Sequence, residues 1–460
     1  MKRFRDQMQK MLAFLEHKQF EELIALFPES GHDFEKLEHV GILFYRAMAF
    51  LKLGQWDDAL NSYEQLLAAY PNEPVIHYNC GCIHRKLEHY EQALESFDRA
   101  IELNADYSDA YYNRGNIKTI LGRNPEALND YQQAIDLNPA DADYYAARGQ
   151  VYGNLGKWSL AFQDYETAIQ LSPDNVTARG NRGNAYKLFG YFDDAVAEYD
   201  HVIRIDPKEC RAYVNRGCVN FMRDRYDDAI QDFTIAIALC PENPKIHAYR
   251  GMAYHKKYRF RLALQDFDEA VRLAPENGEY LIHRSRIRAA ISDLIGAASD
   301  AKASVDADPK NWKAYHQCGM VYSLIGQLDL AVESYNEMIE LNPKFDGGYC
   351  CRGVAYARQG KAVEALADYE KAAQLNPNSA PAFLNRGIIY RILGKLELSL
   401  ADLTKAIHLD PQNSMAYLNR AIVYETLDEA KHARYDREKA EFLKNNADLE
   451  RNQQMERTTA

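Results

Sequence analysis

Ten arginines stand at one recurring place in the chain: Arg46, Arg114, Arg148, Arg182, Arg216, Arg250, Arg284, Arg352, Arg386 and Arg420. Nine of them have a carboxylate sixteen residues later, at Asp130, Asp164, Glu198, Asp232, Asp266, Asp300, Asp368, Asp402 and Asp436; only Arg46, with Ser62, departs. Where cysteine replaces the arginine, at Cys80 and Cys318, serine replaces the acid, at Ser96 and Ser334. Solvent-facing guanidiniums would bind the anions of a ligand. Half-buried ones need a carboxylate of their own, which the planar fork takes in two hydrogen bonds. Only the second reading accounts for the linked acid, so the row is read as internal ion pairs and left out of the binding site.

Other chemistry is sparse. No G-x-x-x-x-G-K-[ST], H-E-x-x-H or G-x-S-x-G occurs in the sequence, so neither a phosphate loop, a zinc protease site nor a nucleophile elbow is expected. The histidines, among them His77, His84, His201, His247, His255 and His283, have no regular carboxylate or thiol partner. Of the eight cysteines, neither Cys80-x-Cys82 nor the pair Cys350-Cys351 has a metal spacing, and Cys210, Cys218, Cys240 and Cys318 stand alone. Buried free thiols are expected, with no metal, no cofactor and no enzyme activity.

The arginines and their acids repeat with a period of 34 residues, in units starting at 40, 74, 108, 142, 176, 210, 244, 278, 312, 346, 380 and 414 without insertion or deletion. In Ala142 to Asn175, apolar or small residues recur at Tyr145, Gly149 and Tyr152 and again at Ala161, Tyr165 and Ala168. These are helical spacings on either side of Gly156, so each unit reads as two antiparallel helices, closed by a proline such as Pro173. The eighth position is Gly in nine units, with Ala47, Ser285 and Ala421 in the others. Position 20 is Ala in eleven, from Ala59 to Ala433, with Ser399 the exception, and large aromatics such as Tyr63, Phe97, Tyr131, Tyr165 and Phe267 take position 24. This pattern resembles the tetratricopeptide repeat. The resemblance covers residues 40–447 as twelve repeats. It implies an all-α fold, a right-handed superhelical α-solenoid of stacked helical hairpins with the first helices lining a concave groove.

Residues 1–39 are expected to form an N-terminal helical cap, with a helix over Leu15 to Phe27 that buries Phe20 and Leu23, a break at Pro28 and a further helix near Asp33. The second helix of repeat twelve is expected to run towards Glu450 within a charged C-terminal tail, 448–460, whose last four residues are disordered. Repeat eight should be the weakest, because Ser285, Leu294, Ala301 and Ser304 replace the usual glycine, two aromatics and an alanine.

In the family the groove is lined by positions 2, 5, 6, 9, 12 and 13 of the first helix. Position 6 is asparagine at Asn79, Asn113, Asn181, Asn215, Asn385 and Asn419. Such a ladder offers donors and acceptors to the backbone of an extended peptide, and it resembles the superhelical domain of O-GlcNAc transferases. The chaperone-binding carboxylate clamp of the family is not expected, since position 5 is never lysine. The lining positions carry eleven basic residues, Lys52, Arg85, Lys86, Lys187, Arg211, Lys245, Lys256, Arg286, Lys313, Arg358 and Arg391, against four acidic ones, Asp109, Asp143, Glu279 and Glu425. The lining is therefore +7 in a chain of net charge −12, so the rest carries −19. A groove of opposite sign to its exterior steers anions inward.

The expected function is a non-enzymatic scaffold that binds an acidic or neutral protein segment, its acidic part in repeats 6 to 11. A self-associating structural solenoid and a targeting subunit of a separate enzyme are the alternatives, and oligomeric state stays open. The negative net charge argues against nucleic acid as partner. No apolar stretch of membrane-spanning length and no signal-like segment behind Met1 stand in the sequence, so membrane insertion is not expected and the expected location is cytoplasmic.

Overall fold

The computed structural model describes Glu21 and residues 36–459, with side chains over 43–446. Except for Glu21, the expected cap helix Leu15–Phe27, the break at Pro28 and the helix start near Asp33 lie outside the described residues. Among the described residues the elements are all helices, and they fall in hairpins at the 34-residue period. The chain divides into two units, Met1–Ala212 and Tyr213–Ala460. Within each, hairpins stack on their neighbours in sequence, giving an α-solenoid without a strand.

Repeat four shows how the sequence builds a hairpin. Its first helix, Ala142–Asn154, starts at Asp141, whose side chain accepts a hydrogen bond from the backbone N–H of Asp143. That contact satisfies one of the orphan donors of the first turn. Gly156 then takes a φ of +72° and reverses the chain. The second helix, Trp158–Leu171, buries Ala161, Asp164, Tyr165 and Ala168 on one face, and Pro173 follows its end in the turn to the next repeat. The left-handed turn residue recurs at position 15 of all twelve repeats: seven are glycine, while Glu88, Asp224, Tyr258, Ser292 and Asp428 adopt the same region with φ of 57–66°. Those five carry a strain glycine would not.

The small residue at position 8 has a direct cause. A Cβ on Gly149 would stand 2.8 Å from the Tyr165 ring, and one on Gly81 would stand 2.7 Å from Phe97. In these repeats the ring at position 24 packs so close to the first helix that a Cβ at position 8 would force it to shift. Repeat eight inverts the arrangement. With Ala301 in place of the ring, Ser285 is fully buried, donates through Oγ to the Ala297 carbonyl at 2.8 Å and accepts from Gln317 Nε2 of the next repeat at 3.0 Å. The space left by the aromatic is thus partly refilled, but Gln317 Oε1 is buried with no hydrogen-bond partner. An orphan acceptor of that kind costs about 1–3 kcal/mol, so the weakness expected of repeat eight rests on an unmet acceptor as well as on a lost ring.

The last helix runs on past Asn445 as the sequence suggests and goes further than Glu450: Ala430–Thr459 is a single helix, so 457–459, expected to be disordered, are helical. No proline or glycine follows Ala430, and Asn445 stands where ten other repeats have proline, so nothing in the backbone chemistry stops the helix.

Candidate binding site

The position-7 arginines do what their partnered acids implied. Arg148 donates from Nε and Nη2 to the two oxygens of Asp164, at 2.9 and 2.7 Å. Arg114–Asp130, Arg216–Asp232, Arg250–Asp266, Arg284–Asp300, Arg352–Asp368, Arg386–Asp402 and Arg420–Asp436 repeat the fork, and Arg182 places Nε and Nη2 on one oxygen of Glu198. In the Arg148 pair the arginine side chain is 13% exposed and the aspartate 6%. Hydrogen bonds to Asp164 raise the Arg148 pKa above its ordinary value against the opposing effect of burial. The third nitrogen was not foreseen. In six repeats Nη1 reaches back to position 25 of the preceding repeat: Arg114 to Asp98, Arg148 to Gln132, Arg250 to Thr234, Arg284 to Asp268, Arg352 to Asn336 and Arg420 to Thr404. These guanidiniums spend donors from all three nitrogens inside the protein and have their charge matched by a carboxylate.

The asparagine ladder is uneven. Asn113 is buried and spends both amide hydrogens inside the protein, on the Tyr78 hydroxyl and the Asp109 carbonyl. Asn419 is buried and donates to the Met415 carbonyl. Neither is the exposed rung the sequence suggested, because a tyrosine of the preceding repeat or the helix's own previous turn takes the amide first. Asn79, Asn181 and Asn385 are half-buried, and Asn181 Nδ2 has no acceptor among the described residues. Asn215 and Lys187 are half-buried and engaged with other residues.

The charges at the lining positions sort by sign. Each acid is occupied: Asp109 accepts from the Tyr144 hydroxyl at 2.7 Å, Asp143 from Asn175 Nδ2 at 2.7 Å, Glu279 lies 3.6 Å from Lys313 Nζ, and Glu425 binds Arg437. Among the bases, Arg211 pairs with Glu209 and Arg358 donates to the Ser323 carbonyl. Lys245 and Lys256 are exposed, Arg286 and Arg391 half-buried, and none of these four has a carboxylate at ion-pair distance among the described residues. The sequence reading passed over an apolar feature of the same helices: at position 13, Ile120, Leu188, Met222, Leu324 and Ile392 are 57–65% exposed.

Two histidines, His283 and His316, line one cavity in unit two. Helices Gly278–Ala290 and Trp312–Ile325, with Phe345 ahead of Asp346–Arg358, enclose a cavity of about 320 Å³. It is lined by Glu279, Ile282, His283, Arg286, Trp312, Lys313, His316 and Phe345. Burial, then Arg286, pushes His283 down to about 4, and His316 is lowered by the same two causes. His283 stacks on Phe267 with ring centroids 5.3 Å apart. The thiols are inert by comparison: no disulfide joins the eight cysteines, and burial pushes Cys80, Cys318 and Cys350 up to about 12.

Internal ion pairs repeated at one position of successive helical hairpins define a helical repeat protein. Family models described as TPR repeat match residues 115–156, 154–190 and 319–360. Others described as Tetratricopeptide repeat match 42–73, 74–107 and 348–379, as well as 181–244, 222–278 and 368–401. The chain belongs to the tetratricopeptide repeat family.

Among solved structures it is similar to the APC/C hetero-tetramer Cut9-Hcn1, at 15% identity over 95% of this chain and 93% of that one, with a TM-score of 0.47. It is also similar to yeast Tom70, at 16% identity over 89% and 97% of the two chains, TM-score 0.41. A tetratricopeptide repeat protein from Parabacteroides merdae ATCC 43184 matches at 22% identity over 52% of this chain and 94% of that one, TM-score 0.43. A search of curated proteins finds no match to the chain. Among the described residues no helix is long and apolar enough to cross a membrane.

Proposed function

We propose that the protein is a non-enzymatic interaction scaffold that takes an acidic or neutral extended segment of a partner protein along the face of its first helices. The observation that carries this reading is a contrast. The nine position-7 arginines with an acid sixteen residues on are all neutralised by it within their own repeat. Lys245, Lys256, Arg286 and Arg391, on lining positions, have no such partner among the described residues. Uncompensated bases beside exposed apolar residues suit a chain that brings carboxylates and apolar side chains together.

The test is a native partner recovered with the wild-type chain and challenged with Lys245→Glu and Lys256→Glu together, against a control of equal charge change at Lys302 and Lys371 on the second helices. Binding should fall with the first pair and hold with the second, and it should weaken as salt rises. Equal loss in both variants, or affinity indifferent to salt, would overturn the reading. A mass that grows with concentration in the absence of any partner would favour self-association instead.

A further inference from the structure

Arg286 is a half-buried guanidinium that has neither a hydrogen bond nor a carboxylate of its own among the described residues. Every position-7 arginine around it, Arg250, Arg284 and Arg352 included, holds a bidentate acid. A planar fork in that state presents parallel donors towards whatever enters the space beside it. That space is the cavity between repeats eight and nine, and the residues around it specify the visitor.

Three properties narrow the chemistry. The first is net charge. Arg286 contributes one positive charge, while Lys313 is largely offset by Glu279 at 3.6 Å. His283 and His316, both held below their ordinary range by burial and by Arg286, are neutral at pH 7 and add no charge. The balance is close to +1, which matches a monoanion and leaves a dianion uncompensated in a partly desolvated site. The second is the wall. The Trp312 and Phe345 rings, with centroids 4.9 Å apart, both line the cavity, a surface for an apolar or aromatic group. The third is room. A Cβ on Gly347 would come within 2.5 Å of the Phe345 ring, so the glycine there lets that ring lie over the start of its helix and line the cavity.

We propose that the cavity formed by Arg286, Trp312, His316 and Phe345 is a binding pocket for a peptide carboxylate, with Arg286 taking the carboxylate and the two rings taking the apolar side chain next to it. The pocket rests on the scaffold reading and adds a point of chemical selection to it. A phosphate shares the oxyanion chemistry but brings a second charge that the site does not balance.

The test uses the full-length chain and three short acetylated peptides that differ at one residue beside a phenylalanine, either Glu, Gln or phosphoserine. Binding is followed by anisotropy of a label on the peptide and by the fluorescence change of Trp312 in a chain whose Trp56 and Trp158 are replaced by Phe. The Glu peptide should bind about tenfold or more tighter than the Gln peptide, as a charge-assisted pair does over a neutral one. Arg286→Gln should abolish that preference while leaving the Gln peptide unchanged, and Arg286→Lys should recover part of it. Unchanged far-UV dichroism keeps these variants interpretable, and Gly347→Ala, which displaces Phe345, should weaken both peptides without altering their ratio. Equal affinity for Glu and Gln, a preference that survives Arg286→Gln, or tighter binding of phosphoserine each overturns the proposal. So does no binding of the Glu peptide at millimolar concentration. None of these outcomes touches the scaffold reading, which stands or falls with the native partner and the Lys245 and Lys256 variants.

Discussion

Asp164 receives two hydrogen bonds from Arg148 in a setting where little water reaches either group. Asp164→Ala should therefore cost up to about 3–5 kcal/mol, because an almost buried guanidinium is left without its acid. Repeats two and nine show how the protein does without the pair: Ser96 and Ser334 turn their hydroxyls to their own helix, onto the Gln92 and Leu330 carbonyls. Arg148→Cys combined with Asp164→Ser copies that solution and should recover most of the loss, read as amide protection across repeat four. A double variant no better than Asp164→Ala would mean that the two side chains are not coupled. The pairing was legible because each repeat is a separate trial of the same structural problem, and the acid came and went with the arginine. The Nη1 contact was not legible. Its acceptor is an aspartate, glutamine, threonine or asparagine by turns, so residue type carries no signal even though geometry does. Asn113 and Asn419 are buried rather than exposed rungs, and position in the repeat does not show it: the amide of one is taken by Tyr78 a repeat back and that of the other by Met415 a turn back.

At the scale of the hairpin, repeat eight concentrates the departures from pattern. Gln317 fills space that Ala301 vacates, at the expense of a buried carbonyl without a donor. Gln317→Met keeps the volume and removes the orphan, while Ser285 retains its bond to the Ala297 carbonyl. This substitution should stabilise repeats eight and nine by about 1 kcal/mol, seen as slower exchange through 278–325; faster exchange would show that Gln317 earns its place through the Ser285 bond alone. A pH effect belongs to the same hairpin. The His283 pKa lies near 4, below its ordinary 6.5, with Arg286, Glu279, His255 and Lys313 as the charged or titratable groups that act on it. Above 6.5 the ring is neutral whether the hairpin is closed or open. As pH falls from 6.5 towards 4 only the open form takes the proton, so stability is lost across that window and no further below it. Protection factors in Gly278–Ala290, corrected for intrinsic exchange, should drop across the window, and His283→Phe should flatten the drop. The sequence could not display this cluster. His283 and His316 occupy positions 6 and 5 of their repeats and Arg286 position 9, so they share no column of the period, and only stacking places them around one space.

Across the whole chain, the 34-residue register from 40 onward was open to reading because no insertion blurs it, and the helices follow it closely. The end of the last helix was less open, because a charged segment without proline or glycine carries no stop signal that would mark where the helix ends. The inter-repeat bond from Nη1 has a consequence for how such a chain can change its length. Its acceptors are chemically interchangeable, so a junction between two repeats does not record which two repeats they are. Removing residues 142–175 in register would set Arg182 against Gln132, an acceptor that Arg148 already uses. Such a shortened chain should fold with helix content reduced in proportion, whereas a deletion of 32 residues from the same place should not, because it throws the two faces of the next hairpin out of phase. Unequal crossing-over between gene segments of whole-repeat length would then yield foldable products at once, and the number of repeats becomes a quantity that heredity can adjust without redesigning a single joint.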